Sequence, residues 1–329
     1  MTGRPPSSKG TERPREPRVY AVADIGSNST HLLVAVSDGV RQEAVIDESA
    51  GSDLGHLVER RGVIGGRATR ETIEVLRQFK ERAGRLGAEQ FCVVATEPLR
   101  RAADRRAVQR EIGEEIGTTL EVLSHEEEGL LTVLGLVHGH AYSKSLLVAD
   151  VGGGSTEVVA LHPAKAPESF GFSVGSARLL ARVSYQDPPR AREWQELRRH
   201  AQISLADLRV RNIPRIVLVG GSATRLIRLV PQAMLDREIS REDLATMGSI
   251  LASSTAKEIA GQYAISQRRA RLLPAGIAII EALLQQTAVR EVHIDDGGIR
   301  EGAINAIALR GARWKSSLPD LVGRARGAV

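Results

Sequence analysis

Residues 150–157 read Asp150-Val151-Gly152-Gly153-Gly154-Ser155-Thr156-Glu157. The apolar run Leu146-Leu147-Val148-Ala149 leads in and Val158-Val159-Ala160-Leu161 leads out, the pattern of strand, tight turn, strand. Three consecutive glycines permit positive φ and leave the backbone bare, so its amides can close on an anion. Ser155 and Thr156 add hydroxyl donors. Asp150 at the strand end and Glu157 just past the turn are placed to offer oxygen ligands to a divalent cation. Phosphate with a metal ion suits such a turn. A plain hairpin with solvated carboxylates is the alternative, because short glycine motifs recur by chance.

The same idea occurs near the N-terminus. Val19–Ala23 is followed by Asp24-Ile25-Gly26-Ser27-Asn28-Ser29-Thr30 and then by Leu32–Val36, again strand, Asp-x-Gly turn, strand. A third glycine turn, Gly220-Gly221-Ser222-Ala223-Thr224, follows Ile216–Val219. Two Asp-x-Gly hairpins half a chain apart predict two similar domains facing each other across a phosphate.

Composition narrows the choices. The chain has 329 residues, 42% of them hydrophobic and 3% aromatic. That is enough for two domains with real cores, with few aromatic platforms for stacking bases. No apolar run is long enough to span a membrane, and the Arg/Pro/Ser-rich N-terminus lacks the apolar core of a secretory signal. A lone Cys92 in an apolar strand cannot form an internal disulfide and fits a reducing cytoplasm. The net charge of +5 invites a nucleic-acid partner. Its location argues against one. Arg4, Lys9, Arg13, Arg15 and Arg18 precede the first hairpin, and Arg313, Lys315, Arg324 and Arg326 lie near the end. The body between them is close to neutral. Residues 1–17 and 311–329 read as basic, solubilising tails.

Along the chain, Arg41–Ile46 reads as a strand and residues 47–66 as a loop. Thr69–Leu86 carries a helical stripe, Phe91–Ala95 is a strand, and Leu120–Leu123 is a short one. Ser124 and Glu127 form a capping box ahead of an apolar helix. That would occupy Glu127 and leave Glu128 free, although acids in a first helical turn are expected from the dipole alone. His138 and His140 read as a helix end. Arg190–Arg211 reads as a long amphipathic helix and Phe170–Val174 as a strand. Three helices are expected between Ser222 and Arg271, an apolar helix from Pro274, a last strand at Val292–Ile294 and a final helix beginning near residue 298.

Together these motifs resemble the actin/sugar-kinase/Hsp70 architecture, and within it the exopolyphosphatase/guanosine pentaphosphate phosphatase family. Asp24–Ser29 looks like the family's first phosphate loop and Asp150–Glu157 like its second. Ala95–Arg100 resembles its Ala-Thr-x-x-Leu-Arg segment, Glu127-Glu128 its Glu pair, and Ser173–Leu179 its Leu-Gly-Ala-x-Arg-Leu turn. Pro274–Gly276 and Gly298–Gly302 resemble its C-terminal signatures. There are departures. Thr30 replaces an aromatic residue, Ser52–His56 lacks an expected arginine, and His125 and Glu126 replace small residues. The chain resembles the short members without an added helical domain, for which short chains or nucleotide polyphosphates become more plausible substrates.

The resemblance implies an α/β fold of two actin-like domains around a cleft. An N-terminal domain spans residues 18–126, is joined by the final helix at about 298–310, and faces a C-terminal domain at 127–297. It implies a cytoplasmic hydrolase that releases terminal phosphate from polyphosphate or guanosine pentaphosphate, without nucleic-acid or membrane partners. A homodimer is a candidate assembly. Glu128 is the expected base and Arg100 faces the phosphate. Asn28, Ser29, Gly152, Gly153, Gly154, Ser155, Gly221 and Ser222 are the expected phosphate contacts. Asp150, Glu157 and Asp24 are the expected Mg²⁺ ligands, and a monovalent cation such as K⁺ is a further candidate. A kinase of the same architecture and a non-catalytic nucleotide binder are the competing readings.

Overall fold

The computed structural model describes residues 16–137, 144–163, 165–183, 185–210, 213–287 and 289–324. The expectations for residues 1–15 and for His138 and His140 lie outside the described residues. Two sheets carry the fold. The first comprises β1 (Arg18–Ile25), β2 (Ser29–Ser37), β3 (Gln42–Gly51), β4 (Gln90–Ala95) and β5 (Leu120–Val122), in the order β3-β2-β1-β4-β5. The second comprises β6 (Leu146–Val151), β7 (Thr156–Leu161), β8 (Glu168–Phe172), β9 (Ile216–Val219), β10 (Glu238–Ser240) and β11 (Glu291–Ile294), in the order β10-β11-β9-β6-β7-β8. In each sheet three antiparallel strands are followed by two parallel ones, so the second repeats the first and adds β10 at its edge. The fold is α/β, with two actin-like units facing a cleft.

The period-2 pattern of each strand sorts its side chains between layers. Ala21, Ala23, Ile25 and Val34 pack outward beneath the helices Gly66–Arg85 and Arg105–Ile116, against Leu76, Phe79 and Ile112. Tyr20, Val22, Leu33 and Ala35 point inward, to the layer that also takes Val148, Val159 and Leu161 from the second sheet. The helices His125–Val137 and Ile299–Arg310 occupy the centre of that inner layer. They cross at very short range. A Cβ on Gly302 would collide with the Leu131 carbonyl, and one on Gly135 with Gly298. The outer face of the second sheet packs Leu147, Ala149, Val151 and Val158 against Leu197, Ile279 and Leu283.

Several expectations need correction. Residues 47–66 are not a loop: β3 runs on to Gly51, and Leu54–Arg61 is a helix ended by Gly62 at φ 71°. As an edge strand β3 exposes polar residues on both faces, which hides its period. The helix buries only Leu54 and Val58, too few to show a stripe. Nor are residues 311–324 a tail. They form short helical turns and the helix Leu318–Arg324, burying Trp314, Leu318, Leu321 and Val322 in the inner core; their basic composition masked four widely spaced apolar anchors. The helix expected at Arg190–Arg211 is shorter, Ala191–Ser204, and β10 lies among the helices expected after Ser222.

Candidate active site

The β1–β2 and β6–β7 turns are superimposable in their hydrogen bonding. Gly26 N–H donates to Ser29 O at 3.1 Å, and Gly152 N–H donates to Ser155 O at 3.1 Å. The tips meet: a side chain on Gly153 would collide with Asn28, and one on Gly154 with Glu97. Among the described residues, neither Gly153 N–H nor Gly154 N–H donates to an acceptor in the protein. Gly153 and Gly154 line a cleft of about 540 Å³ together with Asn28, Ser29, Gly152, Ser155, Gly221 and Ser222. Gly220, at φ +93°, closes the third turn in the left-handed region, and a Cβ there would come within 2.6 Å of Asp150 Oδ1.

Acids crowd the floor of the cleft. Asp24 is pushed up to about 7, chiefly by burial; Arg300 opposes the shift while Asp150 and Glu301 add to it. Asp150 is pushed up to about 6 by burial and by Glu301. Asp24 Oδ1 is buried without a hydrogen-bond partner among the described residues. An orphaned carboxylate oxygen in the field of Asp150 and Glu301 offers a ligand to a hard divalent cation. Glu157, paired across the hairpin with Asp150, instead reaches toward Arg100 and His125. Burial and Asp150 push it up to about 8.

The capping box forms as expected. Ser124 N–H donates to Glu127 Oε2 at 2.8 Å and Glu127 N–H to Ser124 Oγ at 3.1 Å. Glu127 thus stays at the helix end, while Glu128 is 5% exposed and turns into the cleft. Arg100 Nη1 donates to Glu128 Oε2 at 2.7 Å and to Leu123 O at 2.8 Å. Its Nη2 lies 3.4 Å from both Ser155 Oγ and Glu157 Oε1. Burial, then repulsion from Glu157, raises the Glu128 pKa well above the usual carboxylate range, and Arg100 offsets only part of this. A buried carboxylate whose affinity for a proton is raised, held beside a guanidinium, has the means to take a proton from a bound water.

Other cleft residues were missed in the sequence. Glu97, 3% exposed, accepts from Ser27 Oγ at 2.8 Å and pairs with Arg101 at 2.7 Å; its place after a strand and before Pro98 was the available signal. Arg178 extends that network to Gly154 O at 3.2 Å. The wall near Ser52, short of an arginine in sequence, receives one from elsewhere: Arg268 Nη2 donates to Ser52 O at 2.6 Å and pairs with Asp53. Arg225 and Arg269 line the far wall. Burial, then Arg269 and Arg228, push Arg225 down to about 10, the mark of clustered cations short of counter-charge.

Solved structures share this fold. A 25%-identical structure, the Aquifex aeolicus member of the Ppx/GppA protein family, covers 90% of this chain and 99% of its own, with a TM-score of 0.77. A structure of the Aquifex aeolicus PPX-GPPA enzyme, 26% identical, covers 88% of this chain and 99% of its own, with a TM-score of 0.74. An exopolyphosphatase from Cytophaga hutchinsonii, at 19% identity and a TM-score of 0.76, shares the fold over 88% of this chain and 98% of its own. The sequence model of the Ppx/GppA phosphatase family matches residues 22–310, which take in all of the second sheet, all but the start of β1 in the first and all three glycine turns, and the chain belongs to that family.

Proposed function

We propose that the chain is a phosphoanhydride hydrolase that releases the terminal phosphate of inorganic polyphosphate or guanosine pentaphosphate. The observation that carries this reading is the convergence of Glu128, Gly153, Gly154 and Ser155 on one cleft, with Arg100 bonded to Glu128 and 3.4 Å from Ser155 Oγ behind them. The terminal phosphoryl group binds Gly153 N–H, Gly154 N–H and Ser155, with Asn28 and Ser29 on the opposite side. Gly221 and Ser222 hold the next phosphate, and the anionic remainder runs along Arg225 and Arg269. Arg100 leaves Glu128 for the phosphoryl oxygens, where its planar fork stabilises charge. Glu128, released from that pair, orients the attacking water and takes its proton. Burial among acids sets its affinity for that proton high enough for the task.

Asp24 and Asp150 are the candidate Mg²⁺ ligands, while Glu157, expected with them, turns to His125 and Arg100; Mg²⁺ held there would neutralise phosphate charge and stabilise the leaving group. Among the described residues no helix is long and apolar enough to cross a membrane. We place the enzyme in the cytoplasm. The deciding experiment is phosphate release from polyphosphate and from guanosine pentaphosphate, with Mg²⁺ and with EDTA. Mg²⁺-dependent release is expected from at least one of them. Binding without release would leave a nucleotide-binding protein, and transfer to a hydroxyl acceptor a kinase.

A further inference from the structure

His125, one of the two residues that depart from the family pattern ahead of the Glu pair, packs behind Glu128 against Arg100 and Glu157. Its Nδ1 lies 2.6 Å from Glu157 Oε1 and 3.1 Å from Arg100 Nη2. Donor atoms of His125, Glu128 and Glu157 all fall within 4.8 Å of one another. Two of the three residues are buried, whereas the His125 side chain is 32% exposed and gives solvent a route in. The position is built for an imidazole. Gly171 of β8 faces it, and any side chain there would collide with the His125 ring. The Arg100 guanidinium already sits among the three groups as a cation, touching each of them.

We infer that His125, Glu128 and Glu157 form a second metal site, selective for a borderline divalent ion such as Zn²⁺, which competes with Arg100. One imidazole nitrogen and two carboxylates leave a fourth position for water, the usual arrangement of an open zinc site. Zinc–ligand bonds of about 2.0–2.2 Å need Arg100 to leave, Glu128 to turn inward and the His125–Glu157 pair to open from its 2.6 Å contact. The nitrogen ligand separates this site from the all-oxygen set at Asp24 and Asp150, because imidazole favours Zn²⁺ over Mg²⁺. Metal there exchanges Arg100's single positive charge for two against the Glu128–Glu157 pair. It also occupies the Glu128 lone pair. Resting on the hydrolase reading above, the site is therefore inhibitory: zinc withdraws the base and returns it when zinc falls.

The test uses the chelator-stripped full chain in saturating Mg²⁺. ZnCl₂ binding is followed by equilibrium dialysis, and CoCl₂ binding by the visible d–d bands that report a low-coordinate site with a nitrogen ligand. The wild type should bind one strong equivalent. His125→Ala and His125→Gln, each checked for folding by circular dichroism, should weaken that equivalent by at least the about 10–100-fold seen when even an outer-shell partner is lost. His293→Ala, at a two-residue pair with Glu238 outside the cleft, should change nothing. Arg100→Met should bind zinc more tightly, since the competing cation is gone. Equal zinc affinity in wild type and both His125 variants overturns the site, as does weaker binding in Arg100→Met. These readouts need no turnover, so they stand apart from failure of the hydrolase reading. In an active enzyme the zinc inhibition constant should rise at least tenfold in His125→Ala; unchanged inhibition with lost binding overturns the inhibitory role.

Discussion

Arg100 Nη1 donates to Glu128 Oε2 at 2.7 Å across 28 residues of sequence, so the candidate base and the candidate phosphate-binding cation neutralise each other while the cleft is free of phosphate. The pair is buried, with side-chain exposures of 15% and 7%. Breaking such a pair without replacement is costly. An incoming phosphoryl group supplies the replacement, drawing Arg100 away at the moment Glu128 is needed.

Glu128→Gln should therefore lower turnover by about 10²–10⁴ while affinity for a phosphate analogue survives, because the amides and Arg100 remain. Glu127→Gln is the control. A glutamine still completes the capping box, so its effect on rate should be small. Steady-state turnover and analogue affinity, measured on both variants together, decide the matter. Equal, mild losses would leave the cleft without an identified base.

Asp150→Ala should abolish Mg²⁺-dependent phosphate release, and EDTA should do the same to the wild type. Titration of Mg²⁺ against activity in Asp24→Asn should show the half-saturating concentration shifted upward. Unchanged Mg²⁺ dependence in both variants would remove these acids from the metal site.

Asp24 also makes a pH prediction. Its folded-state pKa, about 7, lies above the ordinary 3.8. The folded state thus holds a proton that the unfolded chain has already lost. Stability from this group is fully present below about pH 4 and is lost as pH rises toward 7 and just beyond. Without divalent metal, the melting temperature of Asp24→Asn should overtake that of the wild type as pH rises through this window. Saturating Mg²⁺ should shrink the difference. Parallel pH profiles for the two proteins would show that Asp24 is not destabilised by its setting.

Trp314→Ala should destabilise the fold by about 3–5 kcal/mol, the usual cost of truncating a buried aromatic. Trp314 is 7% exposed in the inner core, with Leu318 and Val322 beside it. Gly302→Ala, at the crossing with Leu131, should cost about 1–3 kcal/mol through overpacking. Denaturant unfolding measures both. A neutral Trp314→Ala would mean that the C-terminal turns contribute nothing to the core.

Local patterns along the chain carried much of this. Glycine runs between apolar runs predict the hairpins at Asp24 and Asp150, since a tight turn needs a bare backbone and the strands need alternation. The Ser124–Glu127 spacing alone explains why Glu128, and not Glu127, is free to turn inward, because a capping box closes within one helical turn. The same locality explains what was misread: edge strand β3 and the turns around Trp314 carry polar residues on most faces, so their apolar anchors form no visible period. Only the tertiary structure brings His125 to Glu157, 32 residues away, and Arg268 to Asp53, 215 residues away. Those contacts depend on how two sheets close over the helices His125–Val137 and Ile299–Arg310. That closure is governed by glycines at the crossing and by burial summed over a whole layer, which no short stretch of sequence records. The raised pKa values have the same origin, since desolvation by distant parts of the chain is their largest cause.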